Sequence, residues 1–282
     1  MEYHEGVKHI IISSFWISIM LCLVRYLSTD YNAYIIVFWR CFFALIFMFP
    51  WLLKNGVKAI KTDKMSLYIL RAFIGIIAML LWFYALGIMP LPQATALSFT
   101  APIFSAILAY LILKEKTGSG NIAAIFIGFI GALVIIRPGF SDYDVAAFIV
   151  LLSTSLWSIA SIIIKKLSDT EKPLAITFYM ALMMTPLSFI FALFNWQSVA
   201  NIDFIWLALV GLTSNLAHTS LSAAMSKTEL TNILPFDFTR LVFISIMAYI
   251  FFGDHTEILD IVGSLIIITS SVYIAKHKSR SA

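Results

Sequence analysis

Long runs of apolar residues fill most of this chain, and charges, prolines and glycines interrupt them at short intervals. An apolar helix of about 20 residues crosses the hydrocarbon core of a bilayer. The run over residues 72–113 contains no Asp, Glu, Lys or Arg, and Pro90 and Pro92 divide it in two. The pattern predicts ten membrane spans, at residues 9–27, 33–53, 67–87, 92–113, 120–137, 144–166, 174–194, 203–224, 231–252 and 257–275.

These runs show no alternation of apolar and polar residues. The strands of a membrane β-barrel alternate in polarity over about 10 residues, so the pattern predicts helices. Hydrophobic residues make up 61% of the 282 residues and charged residues 12%, which is about half the charge of a soluble domain. We therefore expect an all-α integral membrane protein in contact with the lipid bilayer. A soluble bundle of unusually buried helices is the weaker alternative.

Basic residues lie mainly on one side of the predicted spans. Fifteen of the 19 fall there, with Arg71 at the edge of helix 3: Lys8, Lys54, Lys58, Lys61, Lys64, Arg71, Lys114, Lys116, Lys165, Lys166, Lys172, Lys227, Lys276, Lys278 and Arg280. The positive-inside rule then predicts a multi-pass protein of the inner membrane with both termini in the cytoplasm. The net charge of +4 reflects this topology, and no nucleic-acid partner is expected.

Two further features concern processing and redox chemistry. The first apolar run ends in Arg25 without a small-residue cleavage site, which predicts a membrane helix rather than a removed signal. Cys22 and Cys41 fall inside predicted helices, so we interpret them as packing residues and not as a disulfide or metal ligands. No metal and no cofactor are expected.

The second half of the chain repeats the first. Shifts of 139 and 141 residues bring five pairs into register: Phe99 with Phe238, Thr100 with Thr239, Glu115 with Asp254, Ser14 with Ser155, and Trp16 with Trp157. Helices 1–5 (residues 1–139) therefore match helices 6–10 (residues 140–282). Because five is odd, the second copy is inverted in the membrane, and such repeats hold a substrate near the midplane between the halves.

Several motifs resemble the EamA branch of the drug/metabolite transporter superfamily along the whole chain. They are Phe38-Trp39-Arg40, Leu70-Arg71, residues 98–104 with Lys114-Glu115, Gly128-Phe129-Ile130-Gly131 and Arg137-Pro138-Gly139. The resemblance implies ten helices in two five-helix halves. Within the family, Leu70-Arg71 and residues 236–254 resemble S-adenosylmethionine uptake carriers, which implies that solute as a substrate.

Arg240 and Asp237 are the main candidates for a binding site. Arg240 lies roughly 14 Å along predicted helix 9, near the bilayer midplane, where an ionised group needs a partner or water. Asp237 precedes it by three residues and shares its face. The pair either braces the helix or binds a zwitterionic or oppositely charged solute, and the two roles are compatible.

Helix 8 adds two polar candidates on one face, Asn215 and His218. An antiparallel hairpin folded near Lys227 sets His218 level with Asp237, and Asn215 level with Arg240. A structural role for His218, with its ring bound to a backbone carbonyl, is the alternative to substrate or proton handling.

The first half contributes hydroxyl and aromatic candidates. Ser98 is the repeat partner of Asp237, and Trp82 and Tyr84 lie on helix 3. Trp16 and Trp157 lie near the middles of helices 1 and 6, where their rings could stack on a planar ligand or a cation. Simple packing is the alternative for each tryptophan.

Other polar and small residues are assigned to the scaffold. Arg40 either reaches outward along helix 2, pairs with Asp30 or attracts anions. Glu115 and Asp254 are expected to act as gate or cap residues. Small residues form ridges for close helix packing, at Ala101, Ser105 and Ala109 on helix 4 and at Ala124 and Gly128 on helix 5.

Together these features favour a secondary transporter of a small organic metabolite that works by alternating access. S-adenosylmethionine uptake and export of amino acids or related metabolites are the two substrate hypotheses, with proton coupling or exchange left open. An intramembrane enzyme would need HExxH, GxSG or paired intramembrane aspartates, which the sequence lacks. A channel would need filter loops or oligomeric rings. A homodimer is compatible with the sequence.

Overall fold

The computed structural model describes residues 2–101, 103–104, 107–108, 119–136, 144–227 and 236–278. Over these ranges the chain is helical and contains no strand. The helices are α1 (Glu2–Leu27), α2 (Ala33–Asn55), α3 (Met65–Leu86), α4 (Leu91–Ser98), α5 (Ser119–Ile136), α6 (Asp144–Ser168), α7 (Pro173–Phe194), α8 (Asp203–Lys227), α9 (Thr239–Phe252) and α10 (Ile258–Lys278), with a short 3-10 helix at Val57–Ile60. The prediction of an all-α protein is confirmed for these residues.

Six of the helices are long and apolar enough to cross a membrane: α1, α2, α3, α6, α7 and α8. Shorter apolar helical stretches lie in α5, α9 and α10, at Phe126–Ile135, Thr239–Phe252 and Ile258–Ser270. The predicted start of helix 9 at residue 231 lies outside the described residues, as do Ser105 and Ala109 of the helix 4 ridge.

Local sequence signals set several helix ends. The Asn32 side chain accepts a hydrogen bond from the Ile35 amide at 3.1 Å and so caps the start of α2. Pro173 occupies the first turn of α7, where its missing N–H costs nothing. α2 and α9 each end at a glycine with positive φ, Gly56 at 71° and Gly253 at 69°, a conformation that residues with a Cβ rarely adopt.

The two halves of the chain interleave. α1 packs on α8, α3 on α6, α2 on α7, α4 on α9 and α5 on α10. Each of these pairs joins a helix from the first half to one from the second. The main core of buried side chains runs through both halves, from Leu21 and Ile76 to Val210 and Ile267. A site on either half is therefore completed by helices of the other.

Hydrogen bonds between connecting segments tie the ends of the bundle together. At one end, Tyr31 in the α1–α2 link donates to the Asp203 carboxylate at the start of α8 at 2.6 Å. This bond raises the pKa of the Tyr31 phenol above its ordinary value, so the phenol stays protonated and keeps donating. At the other end, Thr62 in the α2–α3 link donates to Glu171 in the α6–α7 link at 2.8 Å.

Glycines allow the closest helix contacts. A Cβ on Gly131 of α5 would lie 3.0 Å from the carbonyl oxygen of Gly263 on α10, and a Cβ on Gly128 would overlap the Ile103 side chain. The Ser270 hydroxyl on α10 donates to the Ala124 carbonyl oxygen on α5. The predicted scaffold role of the small residues Ala124 and Gly128 is confirmed.

We expect Gly211→Ala to destabilise the fold. The new Cβ would lie 2.7 Å from Phe43 Cβ and 2.8 Å from the Ala44 backbone nitrogen of α2, so α2 and α8 must separate at a cost of about 1–3 kcal/mol. The midpoint of thermal unfolding in detergent should fall. Gly75→Ala is the matched control, because its Cβ would meet Met184 at an ordinary 3.6 Å. Equal midpoints for the two variants would contradict the expectation.

Candidate functional site

Two helices are interrupted at positions that match in the internal repeat. α4 ends at Ser98 and is followed by a turn at Phe99 and Thr100, and a turn residue at Phe238 precedes α9. α4 and α9 pack against each other here. The Phe99 and Phe238 rings meet edge to face with centroids 4.7 Å apart. In transporters, irregular backbone at such interruptions supplies groups for solute binding.

Arg240 lies at this interruption and makes three contacts. Its Nη2 lies 3.3 Å from Asp237 Oδ2 in a salt bridge and 3.4 Å from the Ser98 hydroxyl oxygen, to which it donates. Its Cζ lies 5.1 Å from the centre of the Phe99 ring, in cation–π geometry. The predicted pairing of Arg240 with Asp237 is therefore observed, and Ser98 joins them from α4.

Helix α1 provides the other wall of the site. The Ser14 hydroxyl donates to Asp237 Oδ1 at 3.0 Å. The Ser18 hydroxyl donates to the Ser14 carbonyl oxygen at 2.7 Å and lies 3.5 Å from the Arg240 carbonyl oxygen. Sequence reasoning missed Ser14 as a partner of Asp237. Its match with Ser155 in the repeat had marked the position, but no pattern in the sequence indicates that α1 faces α9.

The salt bridge retains free capacity for a ligand. Side-chain exposure is 16% for Arg240 and 22% for Asp237, so the pair is accessible although three helices contribute to it. Arg240 Nε and Thr95 Oγ1 are buried without a hydrogen-bond partner among the described residues. A guanidinium with an unused N–H beside a carboxylate is suited to a solute that carries both an anionic and a cationic group.

The helix 8 candidates belong to a different part of the bundle. Asn215 is 6% exposed, and its Nδ2 donates to the Ala44 carbonyl oxygen of α2 at 2.8 Å. The His218 ring contacts Trp157 of α6 with centroids 5.9 Å apart. The structure thus brings His218 and Trp157 together, while the described contacts of Asn215 and His218 go to α2 and α6 and not to α9.

Two arginines depart from the sequence expectations. Arg40 does not reach outward or pair with Asp30: it is 2% exposed and donates to the Ser214 hydroxyl of α8. Arg71 lies in the second turn of α3, but its side chain turns inward: it is 3% exposed and contacts the Met180 sulfur of α7. Both side chains bend into the bundle because α7 and α8 cover the faces of α2 and α3 that carry them.

The remaining aromatic candidates have separate surroundings. Trp16 packs edge to face on Phe15 with centroids 5.5 Å apart, and Trp82 packs against the main core. Tyr84 is 53% exposed, so the structure offers no support for it as a ligand. The binding roles of Trp16, Trp82 and Trp157 stay predictions.

Contacts between the halves also occur at the start of α4. The Leu91 amide donates to Asp254 Oδ2 at 3.3 Å, and Gln93 Nε2 donates to Asp260 Oδ2 at 3.1 Å. Asp254 thus accepts from the N-terminus of α4, as a cap does, and its role as a gate or cap stays a prediction. Glu115 lies outside the described residues. Asp260, which is 2% exposed near the start of α10, was not predicted from the sequence.

The sequence profile of the EamA-like transporter family matches the chain twice, over residues 4–137 and 144–276. A riboflavin transporter of Brucella anthropi is 33% identical over 257 residues, which cover 89% of this chain and 90% of that protein. An S-adenosylmethionine uptake transporter of Rickettsia prowazekii is 28% identical over 279 residues, covering 99% and 95%. A pseudopaline exporter of Pseudomonas aeruginosa is 25% identical over 276 residues, covering 97% of each.

A solved crystal structure shares the fold. It superposes with a TM-score of 0.67 over 98% of both chains, at 12% sequence identity. At that identity the similarity establishes the fold alone.

Proposed function

The chain belongs to the EamA-like transporter family, and on that premise we propose that it carries S-adenosylmethionine, or a zwitterion like it, into the cell by alternating access. The observation that carries the proposal is the Arg240–Asp237 salt bridge at the interruption between α4 and α9. The family assignment makes the protein a multi-pass membrane transporter. We place it in the inner membrane with both termini in the cytoplasm, on the asymmetry of its basic residues.

We further propose that residues 1–139 and 140–282 are inverted repeats. When each helix is replaced by its equivalent in the other half, five positions away, the α1–α8 contact becomes the α6–α3 contact. The α2–α7, α4–α9 and α5–α10 contacts are unchanged by this replacement. The same operation converts the Tyr31–Asp203 bond between links into the Thr62–Glu171 bond at the opposite end of the bundle. Equivalent contacts at opposite ends support a two-fold axis in the membrane plane.

The chemistry of the site suits the amino-acid end of the proposed solute. A guanidinium binds a carboxylate through two parallel hydrogen bonds. The Nε–H of Arg240 is buried and unpartnered among the described residues, and it becomes available to the solute when the site opens. Asp237 can offer its carboxylate to an ammonium or sulfonium cation. Ser14 and Ser98 hold the two charges in place when no solute is bound. A solute that bridges the pair would therefore replace the Arg240–Asp237 contact by two contacts, one from Arg240 to its carboxylate and one from Asp237 to its cation.

Alternating access requires that contacts between the halves break at each end in turn. The Leu91–Asp254 and Gln93–Asp260 bonds close one end of the bundle, and we assign that end to the outside. When these bonds open, the helix interruption at Phe99 and Phe238 becomes reachable from the outer side. Rocking of one half against the other then passes the solute inward.

Riboflavin is the second candidate solute, favoured by the 33% identity with the Brucella anthropi riboflavin transporter. A neutral flavin has no carboxylate for Arg240, so its transport would depend more on aromatic residues such as Trp16 and Trp157. Export of an amino-acid-like metabolite is the third, favoured by the likeness to the pseudopaline exporter. The direction of transport and the dependence on Arg240 distinguish the three.

We expect proteoliposomes containing the purified protein to accumulate labelled S-adenosylmethionine down an imposed inward gradient. Excess unlabelled S-adenosylmethionine should abolish the signal, and riboflavin should not compete. Protein-free liposomes and an outward gradient are the controls. Riboflavin uptake without S-adenosylmethionine uptake would replace the first candidate by the second, and transport only outward would favour the exporter. No transport of any of these solutes would contradict the substrate proposal.

A further inference from the structure

Two arginines lie inside the bundle, apart from the salt bridge of the candidate site. Arg40 on α2 and Arg71 on α3 expose only 2% and 3% of their surface. Both lie where α2, α3, α7 and α8 pack together, since Arg40 binds Ser214 of α8 and Arg71 contacts Met180 of α7. The junction therefore concentrates two like charges in one buried place.

The hydrogen-bond partners of the two arginines are neutral. Arg40 donates to the Ser214 hydroxyl. Arg71 donates to the thioether sulfurs of Met180 at 3.1 Å and Met184 at 3.7 Å, and a thioether is a weak acceptor. The Nε–H groups of both arginines are buried and have no partner among the described residues. Each arginine thus keeps an unused donor inside the bundle.

Neither arginine has a counter-charge in the described part of the chain. The ion pairs of this part of the chain include Lys165 with Asp169 and Arg240 with Asp237, and neither pair involves Arg40 or Arg71. A buried ion loses its hydration, and neutral acceptors return only part of that loss. Two such ions at one junction add mutual repulsion. An anion between them would supply the missing charge and accept the unused N–H groups.

We propose that Arg40 and Arg71 bind a small monovalent anion at the junction of α2, α3, α7 and α8. This site is separate from the Arg240–Asp237 pair, and the inference does not depend on which solute the protein carries. The ligand must be small because both side chains are almost fully covered. Chloride fits this description, and so does a carboxylate group, whose two oxygens match the guanidinium fork.

The test is thermal unfolding of the full-length protein in detergent. Potassium gluconate is replaced stepwise by chloride or by acetate at constant ionic strength, since gluconate is too bulky for a covered site. We expect the unfolding midpoint to rise by about 2–4 °C and to saturate with at least one of the two anions. If the rise of the unfolding midpoint saturates with chloride, the site binds a free inorganic anion. If it saturates with acetate alone, the site binds a carboxylate group.

Two variants locate the effect. Arg40→Met combined with Arg71→Met replaces the buried ions by apolar side chains that fill the space, and its midpoint should no longer respond to chloride or acetate. Arg25→Met is the matched control. Arg25 donates to the Leu86 carbonyl oxygen at 2.6 Å near the end of α1, outside the junction, so this variant should keep the full response.

A wild-type midpoint that is unaffected by both anions would overturn the proposal, and this measurement needs no variant to fold. An equal response in the double variant would also overturn it, because the anion would then bind elsewhere. If the double variant does not fold, Arg71→Met alone should show a reduced response. Solute uptake by the wild-type protein is measured separately, so a failed anion site leaves the proposed transport function standing.

Discussion

Arg240→Ala should reduce uptake of the solute that the wild-type protein carries by about 10- to 100-fold, the value of one charge-assisted hydrogen bond. The variant leaves Asp237 without its 3.3 Å partner, so a lower unfolding midpoint is expected as well. Combining it with Asp237→Ala removes both charges. We expect the double variant to recover its stability and to remain defective in transport, as measured by uptake into proteoliposomes at matched protein content.

The same set of variants distinguishes binding from bracing. If the salt bridge only braces α9, the double variant should regain folding and transport together. Arg240→Lys should restore transport only in part, because an ammonium cannot form the two parallel bonds that a guanidinium makes. Ser13→Ala is a control, since Ser13 bonds to the Ala217 carbonyl oxygen and not to Asp237. Full transport by the double variant would rule out a solute-binding role for the pair.

Asp254→Ala should open the outer end of the bundle. The Asp254 carboxylate accepts from the Leu91 amide across the two halves, and losing a hydrogen bond to a charged group shifts such an equilibrium about tenfold or more. Cys22 is a suitable reporter, because it is buried near the C-terminal end of α1. Labelling of Cys22 by an impermeant maleimide added outside should increase by about tenfold in whole cells.

Asp254→Asn is the matched control for this prediction. Its amide oxygen can still accept from Leu91, so a variant that labels like wild type would assign closure to the hydrogen bond. Cys41 is replaced by alanine in every variant to leave one reactive thiol. Unchanged labelling in Asp254→Ala would show that this contact does not hold the outer end closed. Labelling only in inside-out vesicles would contradict the proposed orientation of the termini.

Much of the fold could be predicted because the local signals agree with one another. Helix α2 shows this well: an Asn cap at residue 32, an apolar stretch and Gly56 define it without reference to other helices. The i, i+3 spacing of Asp237 and Arg240 likewise predicted their contact, since the helix-like backbone of Phe238 keeps the two side chains on one face. Both results depend only on local backbone geometry.

The contacts that complete the site could not be predicted. Ser14 meets Asp237 across 223 positions of sequence, and its hydroxyl is one of many in the apolar runs. A hairpin folded near Lys227 predicts that Asn215 lies at the depth of Arg240, but depth does not determine which neighbour a side chain faces. Asn215 instead donates to Ala44 of α2. The direction in which a side chain faces depends on how its helix is rotated about its own axis. The periodicity of a single sequence does not determine that rotation when the segment is apolar on every face.

The amino-acid sequence by itself determined the helical class of the described residues and the pairing of Arg240 with Asp237. Burial of apolar surface in lipid and hydrogen bonding within one helix are local in origin and can be read from composition and spacing. The tertiary structure alone decided that Ser14 and Ser98 contact the pair and that Arg40 and Arg71 turn inward to one junction. Those outcomes depend on how the helices pack. A long arginine side chain can extend outward to the membrane surface or inward into the bundle, and the packing of neighbouring helices decides between the two.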